Sequence, residues 1–319
     1  MNNASVETTI VIPARNEEKR IGTCLAALLA QCRPNVRIIV VLNNTSDGTE
    51  AAISCEARKF GKPVDLLNLH LPPEQGVGTA RRLGCAHAID TFSNLRFLLT
   101  TDADGIAAPD WLARNLAHLD EVDAVCGAIE PIPAETTPLS GQSLDFAVWE
   151  GRYRRLVLDW YYRFAPETAN PQPHHGEASG ASLAIRLAAY RSSGGFDDVK
   201  TGEDRAIVRQ MKSRGFAVRH AGDVVMQASC RLTGRAPDGM AAALRDRLPC
   251  RSGPYGIDTA LPCSDWLLEN MSTPGVWPPD LPPEGRLRVN QLPYHISALE
   301  HLLADTARGG AVPTSIRLD

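Results

Sequence analysis

Thr8-Thr9-Ile10-Val11-Ile12, stopped by Pro13, and Val36-Arg37-Ile38-Ile39-Val40-Val41-Leu42 are the two stretches whose reading decides the fold. Each is a short, β-branched, apolar run, which predicts a buried strand. Between them Ile21, Cys24, Leu25, Leu28, Leu29 and Cys32 recur at helical spacing, and Pro34 ends the pattern. Asn16 reads as the N-cap of that helix, with Glu17 and Glu18 at its positive end. Strand, helix and strand in this order predict a right-handed parallel crossover.

The pattern repeats outward. Asn43 to Thr49 is a polar turn opening a helix that ends near Gly61. Val64 to Leu69 reads as a third strand, Gly78 to Ile89 as a helix and Leu95 to Thr100 as a fourth strand. A further helix follows Pro109 and carries Leu112, Leu116 and Leu119. Strands alternating with helices predict an open, mostly parallel α/β sheet flanked by helices. Ligands of such sheets bind beyond the carboxyl ends of the strands, where the polar turns lie.

The second half is less regular. Leu144 to Phe164 predicts a long helix with Phe146, Trp149, Tyr153 and Trp160, which reads as core before it reads as a sugar platform. His174-His175 stands in a Pro-flanked loop. Glu203 to Arg214 predicts another helix, Val218 to Gln227 one or two strands, and Ile296 to Leu303 a terminal amphipathic helix. The expected organisation is a catalytic domain over 1–240, with a nucleotide-binding half at about 1–130 and an acceptor half at 131–240. A Pro-rich extension over 241–319 is expected to pack on it.

The 319 residues are 44% hydrophobic and 22% charged, enough apolar surface for a folded core. The formal charge of −4 disfavours a protein that grips nucleic acid by its phosphates. No run approaches the roughly 18 apolar residues of a membrane span, and Met1 to Ile10 carries no Lys or Arg. The expectation is therefore no integral membrane segment, no secretory signal and a cytoplasmic location. The eight cysteines are scattered with no Cys-x-x-Cys pair, which suits a reducing compartment without disulfides.

Chemistry points first to Asp102-Ala103-Asp104, after the apolar strand Phe97-Leu98-Leu99. Two carboxylates at a strand end supply hard oxygen ligands for a divalent cation, which neutralises a pyrophosphate as it leaves. The tripeptide alone is equally a solvated turn. Glu203-Asp204 opens a helix and is either a cap or a general base. Gln75-Gly76-Val77-Gly78-Thr79-Ala80-Arg81-Arg82 is neither a dinucleotide fingerprint nor a P-loop. Its amides with Arg81 or Arg82 could still meet a phosphate. His220 is either a third metal ligand or a satisfied core histidine. Arg231, Arg235, Arg245, Arg247 and Arg251, with Gly234 and Gly239 among them, form a solvated face or a loop closing over an anionic leaving group.

The order of these pieces resembles family 2 glycosyltransferases of the GT-A fold, that is, the nucleotide-diphospho-sugar transferase-like architecture. The matching blocks are Thr9 to Glu18, Val40 to Thr49, Gly76 to Arg81, Thr101 to Asp104 and Gly202 to Asp204, together with Gly180 to Arg186 and Gly194-Gly195-Phe196. The resemblance covers about residues 7 to 240. It implies a UDP- or GDP-sugar donor, a divalent Mg or Mn, and a small-molecule or carrier-linked acceptor. It implies that Pro13, Arg15, Asn16, Glu17, Asn43, Asn44, Asp47, Gly76, Gly78, Arg81 and Asp102 serve the nucleotide. It implies Asp102 and Asp104 on the metal, with His220 as a further ligand, and Gly180, Ala181, Ser182 and Glu203 on the acceptor side. Asp204 becomes the base that takes the acceptor proton, and in-line attack inverts the anomeric carbon. One departure stands out: members commonly carry Asp-Asp where this chain has Leu42-Asn43. Asparagine both accepts from a base N–H and donates to a carbonyl, so uracil stays compatible. A retaining mechanism with His220 on the metal stays open as an alternative. So does sugar-phosphate nucleotidyl transfer, although Pro13-Ala14-Arg15-Asn16 lacks that chemistry's glycine-rich, lysine-bearing loop.

Overall fold

The two apolar runs lie side by side as parallel strands, with Thr8 opposite Val36 and Ala14 opposite Leu42. Both are almost wholly buried, because helices cover the two faces of the sheet. Ile10, Ile12, Ile38, Val40 and Leu42 point to one face and meet Ile21, Leu25 and Leu28. Val11, Ile39 and Val41 point to the other and meet Ala80, Cys85 and Ala88. The period-2 alternation of the strand thus feeds two separate cores.

The computed structural model describes residues 5–136, 144–234, 240–246 and 258–307. Its first half runs β1 (Thr8–Ala14), α1 (Ile21–Leu29), β2 (Val36–Asn43), α2 (Thr49–Phe60), β3 (Val64–Leu69), α3 (Val77–Thr91), β4 (Phe97–Thr100), β5 (Ile106–Ala107), α4 (Trp111–Leu119) and β6 (Ala124–Pro131). The remainder is α5 (Leu144–Phe164), β7 (Leu183–Arg186), α6 (Leu187–Ser192), α7 (Glu203–Ser213), β8 (Val218–Ala228), α8 (Met240–Asp246), β9 (Asp258–Pro262), α9 (Ser264–Glu269), β10 (Arg286–Arg288) and α10 (Leu292–Ala307).

The main sheet has eight strands in the order β3-β2-β1-β4-β7-β6-β8-β5. β3, β2, β1 and β4 are parallel. β7 is antiparallel to both β4 and β6. The chain leaves β1 toward β2 but returns from β3 to the other flank of β1. The order therefore reverses between β1 and β4, and the loops following these two strands diverge there, as at the ligand crevice of other open α/β sheets.

Several expectations shift. α1 starts at Ile21, not beside Asn16, whose φ is +55°. The fourth strand begins at Phe97, because Leu95 belongs to the preceding turn. Val218 to Ala228 is one strand, with a register shift against β6 between Gly127 and Ala128. β6 and β7 are additions that the sequence reading did not anticipate as strands.

A third core lies away from the sheet. Tyr153, Trp160 and Tyr161 of α5 pack with Leu267, Trp277, Leu299 and Leu302. The Tyr153 hydroxyl donates to the Pro262 carbonyl at 2.9 Å, and the Trp277 indole to the Gly176 carbonyl at 2.6 Å. The described part of the C-terminal region thus packs on α5, whose Tyr153, Trp160 and Tyr161 are core while Tyr162 is exposed; the side chain of Phe146 lies outside the described residues.

Gly84 lets α3 approach the sheet. A Cβ there would come 2.5 Å from Val11 Cγ1 and 2.6 Å from Val41 Cγ2, both fully buried. Gly84→Ala is expected to lower the unfolding free energy by about 1–3 kcal/mol in urea denaturation, despite the better helix propensity of alanine. A variant as stable as the parent would refute this packing.

Candidate active site

The loops after β1 and β2 are laced together by side chains. Asn16 Oδ1 accepts the Ser46 N–H at 2.8 Å, and Thr49 Oγ1 accepts the Glu17 N–H at 2.8 Å. Asp47 accepts the Glu18 N–H at 3.2 Å through Oδ2 and the Thr49 N–H at 3.1 Å through Oδ1. The Glu18 carboxylate accepts the Gly48 N–H at 3.0 Å. Asn16 and Asp47 therefore shape the crevice wall; desolvation pushes the Asp47 carboxyl up, but the Thr49 hydroxyl and the Glu18 and Thr49 N–H groups outweigh it and hold the carboxyl below its usual range.

The adjacent asparagines part company. Asn44, at φ +49°, donates to the Leu71 carbonyl at 2.8 Å and accepts the Leu71 N–H at 2.7 Å. Both ends of its amide clamp the exit of β3, so its side chain is engaged within the fold. Asn43 is buried at the end of β2, and its Oδ1 has no hydrogen-bond partner. A buried amide oxygen left in this way favours a ligand N–H.

Asp102 and Asp104 follow β4 on a tight turn, in which the Gly105 N–H meets the Asp102 carbonyl at 3.3 Å. Desolvation and the charge of Asp102 push the Asp104 carboxyl up to about 6, with Arg231 pulling the other way. Arg231 pairs with both oxygens of Glu17 and reaches Asp104 at 3.0 Å. It bridges residues 214 positions apart, from the first loop to the end of β8. The sequence reading placed Arg231 in a basic stretch but not at the aspartates. Ser229 and Cys230 are anchored beside it on Glu135, which also pairs with Arg20. Arg245 steadies this segment through the Leu232 carbonyl at 2.6 Å. Arg235, Gly239, Arg247 and Arg251 lie outside the described residues.

Asp204 stands in the first turn of α7. Its Oδ2 accepts the Gly180 N–H at 2.9 Å, and its Oδ1 accepts the Arg205 N–H at 2.7 Å. The Gly180 carbonyl in turn accepts the Thr100 hydroxyl at 2.9 Å, tying Asp204 to the end of β4. The Asp102 carboxyl is raised by desolvation first, then lowered by Arg81 and raised by Asp204 and Glu17. Its side chain keeps 43% of its surface open to water, so this desolvation reflects crowding at the crevice floor rather than full enclosure. Asp102, Asp104, Glu17 and Asp204 thus share one electrostatic field. Pro13 is the penultimate residue of β1, and Arg15, just past the strand, is exposed.

Several expected roles need correcting. His220 is not a metal ligand at the aspartates. It lies three strands from β4, in the row Thr100, Leu183, Cys126, His220. Its Nδ1 donates to the Glu177 carbonyl at 2.9 Å and its Nε2 accepts from Lys212 at 3.0 Å. The Ser182 hydroxyl accepts the Trp111 indole N–H at 2.8 Å, and Ala181 is buried. Glu203 is also buried, paired with Arg81. Gly76 and Gly78 are seats for the 199–200 backbone, because a Cβ on either would collide with the carbonyl of Lys200 or Val199. Arg81 is buried on carboxylates and does not face the crevice as a free phosphate ligand.

The sequence pattern of Glycosyl transferase family 2 matches residues 9–185. The chain belongs to that family. Its sheet is the GT-A fold. A probable glycosyltransferase of Bacillus subtilis (strain 168), YdaM, is 26% identical over 220 residues, covering 67% of this chain and 48% of that protein. The glycosyltransferase AglE of Haloferax volcanii is 32% identical over 127 residues, covering 38% of this chain and 39% of AglE. The chain spans about half the length of the curated relatives it matches. The mannosyltransferase PcManGT of Pyrobaculum calidifontis, in complex with GDP-Man and Mn2+, superimposes with a TM-score of 0.52 at 18% identity, covering 97% of this chain and 77% of that one. S. aureus TarS 1-349, in complex with UDP-GlcNAc, gives a TM-score of 0.52 at 17% identity over 94% of this chain and 74% of that one.

The histidines that do not reach the aspartates form a group of their own around the buried His220. His174 stacks on His220 with ring centroids 5.2 Å apart, and His175 meets it edge-on at 5.6 Å. Desolvation, with Lys212 beside His174 and His220, drives His174 down to about 4 and His220 well below its usual value. His175 is likewise lowered by desolvation. The unfolded chain therefore binds more protons than the folded one below about pH 6.5, and stability is lost as pH falls toward about 4. The melting temperature is expected to drop between about pH 7 and about pH 5, and less steeply in His174→Gln. Identical slopes in the two proteins would assign the loss to other groups.

Proposed function

We propose that the chain is a glycosyltransferase that moves a sugar from a UDP- or GDP-sugar to the hydroxyl of a small or carrier-linked acceptor, with inversion at the anomeric carbon. The observation that carries this reading is the convergence of Asp102, Asp104 and Asp204 at the β1/β4 crevice, with Asp204 held by Gly180.

The donor half supplies the recognition. The unpartnered Asn43 Oδ1 suits the ring N–H of uracil or guanine. Asp102 and Asp104 suit a Mg or Mn cation: they are hard oxygen donors on one turn, and desolvation together with the charge of Asp102 pushes the Asp104 carboxyl up even with Arg231 beside it. Two carboxylates are a sufficient protein share when phosphate oxygens and water complete the coordination. When bound, the cation would offset the negative charge developing on the departing diphosphate. Arg231 adds a guanidinium at the same carboxylates.

Asp204 is the base. Its two backbone N–H contacts hold the carboxylate in one orientation without a cation directly on it. The acceptor oxygen attacks the anomeric carbon, its proton passes to Asp204, and the bond from that carbon to the phosphate oxygen breaks. The products are the glycoside and a nucleoside diphosphate. A base opposite the leaving group makes the displacement inverting.

A screen of sugar nucleotides with manganese is expected to find one that raises the melting temperature; a ligand at about a hundred times its Kd adds about 2.7 kcal/mol. Asp204→Asn should keep that shift while transfer falls by about a hundredfold or more. Asp104→Asn should lose both the manganese-dependent part of the shift and turnover. Full transfer by either variant, or a product that retains the donor's anomeric configuration by NMR, would refute the assignment.

A further inference from the structure

Arg81 sits in the first turns of α3 with its side chain 3% exposed, yet it touches both halves of the site. Nη2 donates to Asp102 Oδ1 at 2.8 Å, and Nη1 pairs with Glu203. The Glu203 side chain is 2% exposed. Gly180 closes the third side: a Cβ there would lie 2.5 Å from the guanidinium carbon, so only glycine lets the 179–182 turn approach. The Phe196 ring lies beyond, its centroid 6.0 Å from the guanidinium carbon. The segment entering α7 is fixed as well, since Thr79 donates to Asp198 at 2.6 Å and Gly78 abuts Glu203.

Resting on the sugar-transfer reading, we propose that Arg81 is a positioning residue that sets the spacing between the donor carboxylate Asp102 and the base Asp204. The linkage has two arms. One runs from Asp102 through the guanidinium to Glu203, the residue preceding Asp204. The other runs from the guanidinium, by contact, to Gly180, whose N–H holds Asp204 Oδ2. A planar, permanently charged group is required, because it must present separate N–H bonds to two carboxylates at a fixed angle. The positive charge also screens Asp102 from Asp204, which repel one another. Arg81 leaves Asp102 Oδ2 to a ligand and does not itself need to touch the nucleotide.

A purely structural ion pair would lower stability and leave the affinity of the folded protein untouched. The test is calorimetric titration of the full chain with UDP and with GDP, each with manganese, alongside melting curves. Arg81→Lys keeps the charge but offers one compact ammonium, and is expected to weaken nucleotide binding at least tenfold. Glu203→Gln is expected to weaken it as well, although Glu203 is buried away from the crevice. In the double variant the two losses should not multiply, since both act through one guanidinium. Affinity within twofold of the parent in Arg81→Lys, or losses that multiply, overturns the proposal. If Arg81→Lys does not fold, Glu203→Gln and Gly180→Ala carry the test: each shifts the guanidinium without removing it, and unchanged affinity in both overturns the role. A parent chain that binds neither nucleotide overturns the sugar-transfer reading and this proposal with it. Parent binding with unaltered variants overturns only the role of Arg81.

Discussion

A carboxylate buried as deeply as Glu203 must have a cation against it, and Arg81 is that cation. Burying both charges costs several kcal/mol of hydration each, which only close geometry and additional hydrogen bonds offset. Much else follows from this pair. It pins the start of α7, and hence Asp204. It requires glycine at 180, where a Cβ would strike the guanidinium. It also leaves a guanidinium nitrogen for Asp102, so that the loop after β4 and the start of α7 share a single fixed charge.

The sheet supplies the place where this happens. β4 lies beside β1 only because the chain crosses over β1 after β3, so loops 15–20 and 101–105 face each other across the reversal of strand order. Three cross-links then stiffen the edge: the Asn16, Asp47 and Thr49 lacing, the Asn44 clamp on Leu71, and the bridge from Arg231 to Glu17 and Asp104. Each joins a strand end to a segment distant in sequence, so the crevice is held by tertiary bonds rather than by the local geometry of any one loop.

The legible parts were those whose signal is local. Strands β1 to β4 and helices α1 to α4 announce themselves through apolar runs and 3.6-residue spacing, and the aspartates through their position after β4. β7 was not legible: Leu183-Ala184-Ile185-Arg186 carries no strand signal of its own and is extended because it fills the gap between β4 and β6. Asn16 has two local options, helix cap and left-handed turn, and the Ser46 N–H selects the second. His220 looked like a ligand by residue type, but its row in the sheet puts Lys212 and Glu177 on its two nitrogens.

The ordered motifs determined the family and the order of strands and helices, and they named the carboxylates, because periodicity and turn chemistry are written over a few residues at a time. Which of the named side chains face the crevice was decided in three dimensions. Asn43 is left with an open acceptor while Asn44 is used up; Asp204 shares the electrostatic field of Asp102 while Glu203 is buried on Arg81; Arg231 joins the site from the far end of the sheet. The physical reason is that hydrogen-bond and charge satisfaction is a property of what folding brings within about 3 Å, and residues adjacent in sequence can receive opposite assignments.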